Sequence, residues 1–351
     1  MIQTTVVGSY PVPAWLRVYN TRESLRDAML VVLKTQELAG IDVVADGELY
    51  RWDINHAETN GMIDYFVRPL QGVQAELTLD QLRAWKQKTG MAYRSLPAGI
   101  VTGPLGHGRL NLARDYALYR DLTPKPKKFT VTSPYMLAKV LDDAHYGSLG
   151  ALVMALADLL KAQLAEIDAA VVQVDEANVT GHPEDGPIAA AGINRVLEAV
   201  AVGRRAVHLC FGNYGGQTIQ RGTYAKLIAF LDALEADHVV LELARRPEAE
   251  LEVFREVKAE LKLGIGVIDI KDNEVETPDQ VARRIERAAC CLGLERIAFV
   301  HPDCGLWMLP RNVADAKMRA LVAGRDLFGH GGAAADSAGE PPCRTSFGFA
   351  P

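Results

Sequence analysis

Short runs of apolar and β-branched residues alternate along the chain with longer stretches in which apolar positions recur every three or four residues. Runs of the first kind fall at 4–7, 42–46, 99–102, 129–132, 170–175, 206–211, 238–243, 264–270 and 296–300. A short apolar run reads as a buried strand, and its alternation with amphipathic stretches reads as βα units around a parallel sheet. The stretches 148–169 and 277–292 have helical length and spacing. The strand candidates number one more than an eight-stranded barrel needs, which makes one of them, 99–102, accessory. The segment 68–128 is a long excursion with polar helical character around 77–88, suited to a lid or a subunit contact. From residue 329 the chain turns rich in Gly, Ala, Ser and Pro, so the pattern predicts a single domain over 1–328 and a poorly ordered tail over 329–351.

Composition agrees with one large-cored enzyme: 351 residues, 49% apolar, 23% charged and 7% aromatic. A net charge of -6 with the two signs interspersed gives no nucleic-acid or anionic-membrane surface, which leaves small molecules as the expected partners. The opening Met1-Ile2-Gln3-Thr4 leads straight into a strand-like run, without the succession of a signal peptide, and no apolar stretch is long enough to span a bilayer. The expected location is cytoplasmic. The five cysteines do not space as a disulfide framework.

Chemistry concentrates at two places, His208-Leu209-Cys210 and Pro302-Asp303-Cys304-Gly305, each at the end of a β-rich apolar run. Residues i and i+2 of a strand share a side, so His208 and Cys210 can grip one ion, and Cys304 can complete a three-ligand nitrogen–sulfur set. Imidazole with thiolates is the ligand preference of zinc, and three protein ligands leave a position for substrate. The bland alternative is a pair of half-buried strand residues. A metal held by thiolates would also fit a reducing compartment.

Other short motifs keep company with these two: Thr4-Thr5-Val6-Val7-Gly8-Ser9-Tyr10-Pro11, Asp46-Gly47-Glu48, Val172-Gln173-Val174-Asp175-Glu176, and Glu242 within Val239-Val240-Leu241-Glu242-Leu243. In this order, and from end to end, the chain resembles the catalytic domain of cobalamin-independent methionine synthases. The resemblance implies an α/β fold, the (β/α)8 TIM barrel, with the motifs at the carboxyl ends of its strands, which is the catalytic face. It implies Zn2+ as cofactor and His208, Cys210, Glu242 and Cys304 as its ligands. Glu242 has a competing reading, a glutamate paired with Arg245 or Arg246. Yet the apolar run before it says buried strand, where an unpaired carboxylate is costly.

A dication deprotonates a coordinated thiol, so the expected reaction is attack of a zinc-activated substrate thiolate on an sp³ carbon. In the methionine synthases the residues corresponding to Ser9, Glu48 and Asp175 hold the amino acid's polar end. Two carboxylates facing one pocket suit an α-ammonium group between them, so homocysteine is the leading acceptor and methionine the product. Asp175 and Glu176 read alternatively as a strand-end cap or an ion pair, and Glu48 as a partner of Arg51. Full-length family members carry a second barrel for folate, which this sequence lacks, and Lys271 stands where they have a histidine that assists folate chemistry. Both departures favour methylcobalamin or a corrinoid carrier protein as methyl donor, as in the short core-type synthases. The chief alternative within the superfamily is an epoxyalkane:coenzyme M transferase, whose sulfonate acceptor would be read by Arg51, Arg68, His107, Arg109 or Lys271. A third reading is a ligand-binding barrel whose zinc is structural or missing. A homo-oligomer is compatible with the sequence.

Overall fold

The computed structural model describes residues 2–53, 60–87, 96–213 and 220–336. Its strands are β1 (Gln3–Thr4), β2 (Val44–Ala45), β3 (Gln71–Gln74), β4 (Ile100–Gly106), β5 (Lys127–Thr132), β6 (Asp142–Asp143), β7 (Val171–Glu176), β8 (Arg204–Leu209), β9 (His238–Leu241), β10 (Lys262–Ile268) and β11 (Ile297–Pro302). An eight-stranded parallel sheet runs β1-β11-β10-β9-β8-β7-β5-β2. Its two edges meet through a parallel bridge between Thr5 and Val43, where the Val43 N–H donates to the Thr4 carbonyl at 3.1 Å and Thr5 Oγ1 donates to the Val43 carbonyl at 2.9 Å. Sequence order is therefore preserved round the sheet, as in a (β/α)8 barrel.

The accessory strand predicted at 99–102 is β4, which lies outside the barrel in a three-stranded side sheet of order β3-β4-β6. The excursion over 68–128 holds β3, β4 and two helices, Leu79–Gln87 and Leu112–Ala117. The predicted helices begin where their caps demand. Ser148 accepts the Ala151 N–H at the head of Leu149–Leu164, and Thr277 forms a capping box with Gln280 at the head of Pro278–Leu292. The first stops at Leu164 rather than at 169, because the chain turns there to enter β7. The last helix, Arg311–Asp336, runs past the boundary expected at 328. Residues 337–351, the rest of the expected tail, lie outside the described residues. Among the described residues no helix is long and apolar enough to cross a membrane.

Period-2 alternation sorts the strand residues onto two faces. Phe129, Val131, Val172, Val174, Val207, Leu209, Val239 and Leu241 join the main apolar core. The positions between them, Lys128, Thr130, Gln173, Asp175, His208 and His238, are buried and polar on the opposite, inner face. That polar inner face leads up to the functional residues.

Candidate metal and substrate site

Parallel strands deliver their carboxyl ends to one face of a barrel. Asp175 lies near the end of β7, His208 near the end of β8, and Cys210, Glu242 and Cys304 just past β8, β9 and β11. The ligand atoms of His208, Cys210 and Cys304 all lie within 4.8 Å of one another. The imidazole Nδ1 of His208 faces the Val240 carbonyl at 2.9 Å, so it carries the proton there and donates. Its Nε2 is buried with no hydrogen-bond partner. An imidazole oriented by a backbone carbonyl, with its free nitrogen beside two sulfurs, fits a soft divalent metal.

The two sulfurs divide the roles of donor and acceptor. A hydrogen bond with Cys304, added to burial, pushes the Cys210 thiol far up. Cys304 is driven far down by that same hydrogen bond from Cys210 and by His208, in spite of burial. Burial pulls His208 down, yet its contact with the Cys304 sulfur leaves it raised. A dication at this trio would hold both sulfurs ionised.

Glu242 stands apart from that trio. Its Oε2 accepts the Phe211 N–H at 3.1 Å, while Oε1 takes a short hydrogen bond from Lys271 Nζ. Both side chains of this ion pair are 3% exposed. The competing pairing with Arg245 or Arg246 does not occur, since those arginines bind Asp269 and Glu250. Of the four expected ligands the fold gathers three, and Lys271, a candidate substrate-binding residue in the sequence, holds the fourth. A buried ammonium and a buried carboxylate pair because each alone would be costly to bury.

Ser9, Glu48 and Asp175 meet beside the trio. Ser9 bridges to Gly47, and the Ser9 carbonyl accepts the Leu306 N–H at 2.8 Å, which sets the serine against the Cys304-Gly305 turn. A Cβ on Gly305 would collide with Ser9 Oγ, and one on Gly8 with Glu48 Oε1. Glu48 itself has φ +58°, the left-handed region, alone among the described non-glycine residues. The strain is held by Asp46, whose Oδ1 accepts the Glu48 N–H at 2.7 Å, and by Thr130 Oγ1, which donates to Glu48 Oε1 at 2.6 Å. Arg51 NH1 lies 3.2 Å from Glu48 Oε2, so the alternative pairing of these two residues is realised. Asp175 faces His208 across the β7–β8 register. Burial, joined by the charge of Glu48, pushes the Asp175 carboxyl up to about 7 against the pull of His208 and Arg51.

Sequence reasoning missed the residues that support these groups. Asp303 Oδ1 accepts the N–H groups of Leu243 and Ala244 at 2.9 and 2.8 Å, which ties the segment after β9 to the loop that carries Cys304. Gly266 leaves space for it, since a Cβ there would collide with Asp303 Oδ1. The only signal for Asp303 was its place between a strand end and a cysteine. Arg51, read from sequence as a candidate sulfonate reader or a partner of Glu48, also donates to the Thr130 carbonyl and hydroxyl, is buried, and lies 5.0 Å from the Phe66 ring centroid. Gln173, below Asp175, entered only as part of the motif Val172-Gln173-Val174-Asp175-Glu176, and Lys128 had no signal at all.

Against known proteins, residues 2–325 match the family model described as the catalytic domain of cobalamin-independent synthase. The methionine synthase of Thermococcus kodakarensis is 29% identical over 343 residues, covering 93% of each chain. That of Sulfurisphaera tokodaii is 28% identical over 343 residues, 93% of this chain and 92% of its own. Among solved structures, a B12-independent methionine synthase from Shewanella sp. W3-18-1 in complex with selenomethionine superposes with a TM-score of 0.78 at 23% identity, covering 95% of this chain and 99% of its own. A methyltransferase from Methanosarcina mazei does so with a TM-score of 0.58 at 14% identity, covering 93% and 94%. Both share the fold.

Proposed function

Since the chain belongs to the family of cobalamin-independent synthase catalytic domains, we propose that it is a zinc-dependent methyltransferase that alkylates the homocysteine thiol to give methionine. The observation that carries this reading is the trio of His208, Cys210 and Cys304, with an orphaned, buried imidazole nitrogen aimed at two sulfurs. Zinc, when bound, supplies the positive charge that keeps a substrate thiol ionised and nucleophilic at neutral pH.

The remaining steps belong to the chain's own residues. Glu48 and Asp175 take the substrate's α-ammonium, and the Ser9 hydroxyl meets its polar end. Val240 fixes the His208 tautomer, so that the other nitrogen stays available. Glu242, latched to Lys271 and to the Phe211 N–H, would be the fourth ligand, and as a hard oxygen donor the one most readily exchanged for a substrate sulfur. The methyl group comes from a methylcorrinoid, free or on a carrier protein, because Lys271 is committed to Glu242 and stands where folate-dependent relatives have histidine. The catalytic unit is the single barrel over 1–328, and a reducing, cytoplasmic setting suits its thiolates.

The coenzyme M reading finds less support. Three of its five proposed sulfonate readers are engaged with carboxylates: Arg51 with Glu48, Lys271 with Glu242 and Arg68 with Asp64. Titration of the zinc-loaded protein with homocysteine and with coenzyme M, following heat and proton release, tests the choice. Homocysteine binding with release of about one proton supports the proposal. Preference for coenzyme M overturns it and makes epoxides the electrophile to try.

A further inference from the structure

Lys128 is a lysine with no surface role: it is 1% exposed and sits on the inner face of β5. Its Nζ donates to the Val6 carbonyl and to Gln173 Oε1, both at 2.8 Å. Gln173, 0% exposed, turns its Nε2 to the Val7 carbonyl at 2.9 Å and to Asp175 Oδ1 at 2.7 Å. An amide has one oxygen and one nitrogen end, so a donor that occupies the oxygen decides where the nitrogen points. As an ammonium Lys128 has no lone pair and can only donate, and both of its neighbours here, the Val6 carbonyl and Gln173 Oε1, are acceptors. The Gln173 nitrogen must therefore face Asp175.

We infer that Lys128, acting through Gln173, is a positioning residue that orients Asp175 toward the substrate's ammonium group and so sets the preference for thiols that carry an amine. The inference rests on the methionine-forming reading, in which Asp175 receives that ammonium. The relay holds one Asp175 oxygen from below and leaves the other to the substrate. It also anchors the carbonyls of Val6 and Val7, and with them the backbone that leads into Ser9. Burial pushes Lys128 down to about 7 against the pull of Asp175 and Glu48. A purely structural lysine would tie β5 to the first strand and be indifferent to what the substrate carries.

The test compares homocysteine with 4-sulfanylbutanoate, which keeps the thiol and the carboxylate and lacks the amine, in direct binding titrations of the zinc-loaded full chain. Lys128→Met and, independently, Gln173→Leu are expected to weaken homocysteine about tenfold or more, the loss of one well-placed charge-assisted contact. Both should leave 4-sulfanylbutanoate within about twofold, with unchanged zinc content, and in an Asp175→Asn background Lys128→Met should add nothing further. Equal weakening of the two thiols, unaltered homocysteine binding in both variants, or the same loss persisting without Asp175 would overturn the inference. If the wild type binds homocysteine no better than the desamino thiol, the functional reading fails first, and the two failures are thereby told apart.

Discussion

Glu48 shows what a single residue is made to do at this site. It adopts a left-handed backbone that costs an ordinary side chain on the order of 1 kcal/mol or more, and the compensation comes from the Asp46 and Thr130 hydrogen bonds. Asp46 is itself perturbed: burial pushes its carboxyl from 3.8 to about 7, with Arg51 pulling the other way. In the unfolded chain that group titrates near its ordinary value, so between about 4 and 7 the folded state binds the extra proton. The stability tied to it is fully present below about 4 and is lost as pH rises through about 7. Urea midpoints of the metal-free protein should fall over this window, and Asp46→Asn should flatten the fall; an identical slope in the variant would refute the assignment.

Cys304 offers a second residue-scale prediction. It takes no part in a strand ladder and lies just past β11, so Cys304→Ala should keep the circular dichroism and melting profile of the parent. Zinc retained after gel filtration should drop well below one equivalent. Loss of folding instead would mark the metal as structural. The pairing of His208 with Cys210 was legible from strand period alone, whereas the tie between Glu242 and Lys271 was not, because the two residues approach only when neighbouring strand ends are brought side by side.

At the scale of elements, local signals and tertiary demands part company. Helix Pro278–Leu292 starts where Thr277 and Gln280 say it should, and removing the cap with Thr277→Ala is expected to cost about 1 kcal/mol in chemical denaturation without changing zinc binding. The strand run at 129–132 leaves out Lys127 and Lys128. Instead β5 takes in both and buries Lys128. What reverses the expectation is the inner face of the sheet, where a carbonyl and an amide oxygen stand ready for a donor. Gly266 makes the complementary case: Gly266→Ala would drive a methyl group into Asp303 and the Leu241 carbonyl. The overpacking should cost about 1–3 kcal/mol and loosen zinc by freeing the Cys304 loop, to be read as a lower urea midpoint together with faster loss of metal to a chelator.

For the whole molecule the critical place is the seam where the first and last strands of the sheet meet. Strands β1 and β2 are brief, and the terminal helix reinforces them through Arg325, which donates to the Ile2 carbonyl at 3.0 Å and to Asp42 Oδ2 at 2.7 Å. Asp42 in turn accepts the Thr4 N–H at 2.8 Å. Arg325→Ala should lower stability by about 2 kcal/mol, less than a fully buried pair because Asp42 is partly exposed, and hydrogen exchange should rise first at Thr4, Thr5 and Val43. Uniform exchange changes over the barrel would show that the seam is not its weak point.

The sequence by itself determined the βα alternation, the accessory character of β4, the two capped helices and the family, because each is written in residues close together or in motifs whose order survives divergence. It also placed the candidate side chains at the carboxyl ends of strands, and strand ends in a parallel barrel share one face. Only the tertiary structure decided which of those side chains touch. Burial removes water as the default partner, so each polar group inside the barrel must find another. The pairing of Lys271 with Glu242 is set by neighbouring strand ends rather than by spacing along the chain, whereas Arg51 with Glu48, three residues apart, and Gln173 with Asp175, two apart on one strand, are local pairs that burial selects.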